Sequence, residues 1–157
     1  YYAKDMLDLF ADPQVKDIQI PIQTSSARLL ALMNRHYSPD ALEPFLENLV
    51  VGGGTFLRTD LIVGFPTETR EEFAESMCYA GWYFDEVAVY GFEMKKGTPL
   101  CGMGLTPLDP ATIVWRRKYA MDILREAGVL VHSGGQEIES LLENDRAKAL
   151  RRQADGE

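Results

Sequence analysis

The sequence predicts an α/β fold built on a parallel sheet, and three observations carry that expectation. Apolar runs of strand character lie at 16–22, 56–65 and 86–94. Helical patterns with start signals lie between and after them, so strands alternate with helices as in βαβ units. The connections after the strands are short and rich in Gly, Pro, Ser and Thr. Three parallel strands cannot close a barrel, which leaves two sheet edges to be covered or paired.

Each element has its own signal. In KDMLDLFA (4–11), Met6, Leu7, Leu9 and Phe10 recur at near-helical spacing, and Asp12-Pro13 stops the helix. In KDIQIPI (16–22), Ile18, Ile20 and Ile22 alternate as in a strand; Pro21 lacks an N–H and belongs near the strand end or at an irregular pairing. Thr24, Ser25 and Ser26 offer capping hydroxyls before a helix at 27–34. Ser38-Pro39 starts another helix, reaching about Val50 and ended by Gly52-Gly53-Gly54. A strand, not a helix, follows those glycines, so they are not a phosphate loop. Thr69 and Glu72 form a capping box that opens a helix over 70–82. Asp109-Pro110 opens a long helix to 127, with Gly128 as its stop. A last amphipathic helix is expected at 135–153.

Composition narrows the function. The chain has 157 residues, enough for one modest core. Its net charge of −8 opposes a bulk electrostatic grip on nucleic acid. The two cysteines, Cys78 and Cys101, are neither a disulfide framework nor a zinc site, and read as free thiols in a reducing cytoplasm. No run approaches membrane-spanning length, so no membrane partner is expected. The chain opens on Tyr1-Tyr2-Ala3 without an initiator Met, which suggests a processed or excised chain.

In parallel α/β folds ligands bind at the carboxyl ends of the strands. That rule selects Gln23, Thr24 and Ser25 after the first strand, Gly64, Pro66 and Glu68 after the second, and Lys95 after the third. Gly64 would let backbone approach a flat ligand, and Pro66 would fix the loop. Glu68 would put a carboxylate on the rim, or merely favour the following helix dipole. Thr24 or Ser25 could simply cap a helix. Asp60, on an otherwise apolar strand, wants a hydrogen-bond partner or an opposite charge. His36 and His132 read as solvated.

Three stretches, IPIQTSSARLLALMNRHYSPDAL, TDLIVGFPTETREEF and KKGTPLCGM, resemble successive signatures of the radical S-adenosylmethionine methylthiotransferases. The resemblance covers roughly residues 5–104. It implies a partial TIM-like (β/α) barrel, of which this chain carries the last three units over 1–104, followed by a helical extension at 105–157. It implies S-adenosylmethionine bound by Gln23, Thr24, Ser25, Asp60, Gly64, Pro66, Glu68 and Lys95. It also implies a [4Fe–4S] cluster in the parent enzyme, with its Cys-x-x-x-Cys-x-x-Cys ligands upstream of Tyr1, and none of the metal ligands in this chain. The parent would form a 5′-deoxyadenosyl radical and act on tRNA or a ribosomal protein in the cytoplasm, while this chain alone would be inactive. Thr24-Ser25-Ser26 stands where the family has Ser-Gly-Ser, and Lys95-Lys96 where it has Arg-Pro. These departures leave open a radical S-adenosylmethionine enzyme of another subfamily acting on a small molecule. A non-enzymatic half-barrel that binds a nucleoside or self-associates through open sheet edges is the third reading.

Overall fold

The computed structural model describes residues 12, 14–52 and 54–134. The helices expected at 4–11 and 135–153 lie outside the described residues. The described chain runs β1 (Asp17–Gln19), α1 (Ala27–Leu32), α2 (Pro39–Gly52), β2 (Phe56–Val63), α3 (Arg70–Tyr83), β3 (Glu86–Gly91), a 3₁₀ turn (Pro99–Met103), α4 (Pro110–Glu126) and β4 (Leu130–Ser133).

The sheet has four strands where the sequence leads us to expect three, all parallel and ordered β1-β2-β3-β4. The extra strand is β4, registered from Glu86↔Leu130 to Val89↔Ser133. So short a run has little propensity signal; pairing to β3 is what makes it a strand. Of the two C-terminal helices expected, α4 is the first. Helix α4 and β4 continue the strand–helix alternation beyond Met103, and α4 packs on β3 and β4.

Spatial order follows chain order, so every crossover runs the same way. With right-handed crossovers, that places the helices on one face of the sheet. Burial agrees. In β2, Leu57, Thr59, Leu61 and Val63 are buried and alternate with partly exposed neighbours. Leu57, Leu61 and Val63 share one core with Ile18, Val87, Val89, Leu46 of α2, Met77 of α3 and Leu124 of α4. Full burial of one such side chain contributes about 1.5–3 kcal/mol.

The other face is polar. Arg58 donates to Asp17 at 2.9 and 2.7 Å, Gln19 Nε2 donates to Asp60 Oδ2 at 3.2 Å, and His132 lies 3.5 Å from Glu86. Parallel sheets normally have both faces covered. A charged second face on a sheet wound in one direction suits the inner wall of a barrel.

The helix starts follow their caps. Thr69 Oγ1 accepts from Glu72 N at 3.1 Å while Glu72 Oε2 accepts from Thr69 N at 2.9 Å, the reciprocal box expected from sequence. Asp109 accepts from Thr112 N at 3.1 Å. On α1 the cap is Ser26, not Thr24 or Ser25.

Candidate functional site

The carboxyl end of β1 is irregular because Pro21 cannot donate. Thr59 repairs the gap: its hydroxyl donates to Ile20 O at 2.7 Å and accepts from Ile22 N at 3.1 Å. Regular pairing then returns for one residue, with Gln23 N donating to Asp60 O and Gln23 O accepting from Ile62 N, both at 2.8 Å. Gln23 takes a positive φ of 64° there. It lines a hollow above the sheet.

That hollow has a volume of about 680 Å³, and its polar lining comes from every strand end. Gln23 comes from the segment after β1, Asp60 from β2, Tyr90, Glu93 and Lys95 from β3 and the loop after it, and Gly134 follows β4. Arg117 of α4 completes it. A second hollow of about 550 Å³ adjoins and shares Gln23, Ile62, Phe92, Glu93 and Lys95. Met33, Asn34 and Arg35 wall its other side. Phe65 and Phe92 meet edge to face at 5.0 Å along it. A mixed-charge hollow beside an aromatic one suits a ligand with a polar arm and a flat ring.

Gln23, Asp60 and Lys95 thus line one space. The other expected residues are placed differently. Thr24 is fully buried and its hydroxyl meets Ser76 Oγ of α3 at 3.0 Å; Ser25 N donates to the same oxygen at 3.0 Å. Gly64 has a φ of +80°, and a Cβ built on it would lie 2.7 Å from Ile113 Cγ1. Its close neighbour is therefore helix α4. Pro66 is buried beside it.

Glu68 is buried too. Its Oε2 accepts from Gly64 N at 2.8 Å and from Arg116 Nη1 at 2.5 Å. Burial pushes the Glu68 carboxyl above its ordinary range, while the Gly64 N–H and the Arg116 guanidinium pull it down. These residues hold the rim's shape. A further brace joins α1 to α3: Arg28 donates to both Glu72 oxygens, at 2.9 and 2.7 Å, and to Thr67. Burial alone would raise Glu72, but Arg28, the Thr69 N–H and the Ser26 hydroxyl outweigh it and hold the carboxyl at about 2.

A larger hollow, about 1040 Å³, is elsewhere, between α3 and α4 on the outer side. It is lined by Phe73, Met77, Trp82, Trp115 and Tyr119 among others and is apolar. The rim hollow is the better ligand candidate, because polar groups from several strands converge there.

Tyr90 and Arg117 escaped the sequence reading. Tyr90, the register partner of Ile62, lies on the same face as Asp60 and Ile62 near the carboxyl end of β3, so the strand alternation could have found it. Arg117 lies on a helix that no rim rule selects. Cys78 and Cys101 are exposed, on α3 and in the 3₁₀ turn. His36 and His132 are exposed as expected.

No family model matches the chain. Curated relatives do. The ribosomal protein uS12 methylthiotransferase RimO of Pelotomaculum thermopropionicum is 34% identical over 136 residues, 83% of this chain and 30% of that protein. The tRNA-2-methylthio-N(6)-dimethylallyladenosine synthase of Aquifex aeolicus is 36% identical over 118 residues, 72% of this chain and 27% of that protein. The chain belongs to the methylthiotransferase-like radical S-adenosylmethionine family. This methylthiotransferase-like chain spans about a quarter to a third of the curated relatives it matches. The archaeal Methanocaldococcus infernus Elp3 with an N-terminal deletion superposes with a TM-score of 0.62 at 20% identity, over 81% of this chain and 30% of that one. That likeness concerns the fold, and with the one-way winding of the sheet it identifies a partial TIM-like barrel.

Proposed function

We propose that this chain forms the S-adenosylmethionine and substrate side of a methylthiotransferase barrel acting on tRNA or a ribosomal protein in the cytoplasm. The observation that carries the reading is the convergence of Gln23, Asp60 and Lys95 on one hollow at the carboxyl ends of the strands. The Gln23 amide can both donate and accept, Asp60 can accept from ribose hydroxyls or an ammonium, and Lys95 can donate to an anionic group. The aromatic hollow beside them offers a flat ring an apolar wall. Thr24, Ser25, Gly64, Pro66 and Glu68 shape the rim instead of touching the ligand. Bound S-adenosylmethionine would supply the reactive group; these residues orient it and shield it from water.

A four-iron cluster does not fit this chain's own residues. It needs several thiolates at one place, whereas Cys78 and Cys101 are on separate elements. Among the described residues no group of three or more His, Cys, Asp or Glu is poised to hold a metal. No step is therefore assigned to a cluster on these residues. The net charge of −8 weighs toward a protein substrate over tRNA.

The test is mass spectrometry of tRNA nucleosides and of ribosomal protein uS12 from cells in which this coding sequence is disrupted. Loss of a methylthio group from either is expected. Unchanged modification of both would contradict the proposal.

A further inference from the structure

Helix α4 reaches the rim through three residues on one face. Ile113 fills the space over Gly64 and Gly91: a Cβ at Gly64 would lie 2.7 Å from its Cγ1, and one at Gly91 would lie 3.1 Å from its Cγ2. Arg116 holds Glu68. Arg117, one turn beyond Ile113, goes further. Its Cδ would lie 3.7 Å from a Cβ at Gly91, so the stem passes over a position that has no side chain. The head then reaches the rim hollow, where it lines the same space as Lys95.

The head is held there by neutral groups. Its Nη2 donates to Ser133 Oγ and, at 3.4 Å, to Gly134 O. Among the described residues no carboxylate lies within ion-pair distance of Arg117, whereas Arg28, Arg58, Arg116 and Arg125 each have one. An aimed guanidinium with no paired acid, beside a lysine in a hollow, favours a ligand anion that accepts two hydrogen bonds. Asp60 and Glu93 line the same hollow, so it balances two acids against two bases and suits a ligand carrying both signs.

We infer that Arg117 is a specificity-determining residue of the rim hollow, receiving an anionic oxygen group of the ligand. This rests on the nucleoside reading above and goes beyond it by naming the group recognised and the residue that recognises it. The group is either a carboxylate on an amino-acid arm or a phosphate.

Isothermal titration of the full chain with two matched pairs tests this. One pair is S-adenosylhomocysteine against its decarboxylated amine, which lacks only the carboxylate; the other is adenosine 5′-monophosphate against adenosine. In one pair the member bearing the carboxylate or phosphate should bind about tenfold tighter or more, as expected for a charge-assisted fork. The pair that shows the ratio identifies the source of the anion. Arg117→Met should erase the ratio and leave unchanged the affinity of the member without the anionic group. Ser133→Ala, which keeps the charge and frees its aim, should reduce the ratio part-way at an unchanged melting temperature. A flat ratio in both pairs, or one that survives Arg117→Met, would overturn the inference while leaving nucleoside binding standing. Failure of all four compounds to bind would overturn both.

Discussion

Placing a methyl group on Gly64 separates two physical costs that the structure puts at one residue. The backbone there has a φ of +80°, which disfavours any residue with a Cβ by about 1–2 kcal/mol. The new Cβ would also lie 2.7, 3.0 and 3.1 Å from Cγ1, Cγ2 and Cβ of Ile113. These atoms are at the root of a β-branched side chain on a helix, so they cannot swing away. Overpacking of this kind costs roughly 1–3 kcal/mol. Gly64→Ala should therefore destabilise the chain by about 2–5 kcal/mol, a large share of a small domain's stability. Ile113→Ala, at a half-buried site, should cost about 1–2 kcal/mol alone. In the double variant the Cγ1 and Cγ2 clashes are gone, and the 3.1 Å approach of the two Cβ atoms, the backbone cost and the lost packing remain. Urea denaturation of the four proteins, read as a double-mutant cycle, should show a favourable coupling of about 1–3 kcal/mol. Strictly additive costs, or a neutral Gly64→Ala, would refute the claim that this glycine exists to admit helix α4.

Three further outcomes follow from the same contacts. Arg116→Met strands the buried Glu68 carboxylate and should cost about 3–5 kcal/mol by urea denaturation, with Glu68→Gln in that background recovering part of the loss. Glu72, held at about 2 against its ordinary 4.5, stabilises the fold above 4.5, and that contribution is lost as pH falls toward 2. Because Arg28 is half exposed the effect is roughly 1–2 kcal/mol, so the melting-temperature gap between wild type and Glu72→Gln should close on acidification through that window. Asp60→Asn should change stability by less than about 0.5 kcal/mol, since its side chain is bonded by the exposed Gln19 amide, yet weaken nucleoside binding several-fold by titration calorimetry.

Local chemistry was legible where it acts within a few residues. The Thr69–Glu72 box, the Asp109 cap and the stop at Gly128 are all written in short-range spacing, and each element formed where its signal lay. The strand ends were legible for the same reason and led to Gln23 and Lys95, while Asp60 stood out as a carboxylate on an apolar strand. Long-range contacts were not. Glu68 reads as a rim carboxylate until Arg116, far along the chain, closes over it. Gly64 reads as a ligand approach until Ile113 fills it. Strand β4 is defined by pairing to β3 more than by its own residues, although the run Val129-Leu130-Val131 between Gly128 and Gly134 is a faint trace of it. Arg117 is one arginine in a charged helix until the missing side chain at Gly91 gives it a path to the rim.

The proposed function requires that a nucleoside bind in the rim hollow rather than in the larger apolar groove between α3 and α4. Amide chemical-shift mapping of the chain with S-adenosylhomocysteine decides between them. The shifts should cluster at Gln23, at 60–62 and at 90–95, and saturate together. Shifts confined to the neighbourhood of Trp82 and Trp115, or none at saturating ligand, would contradict it.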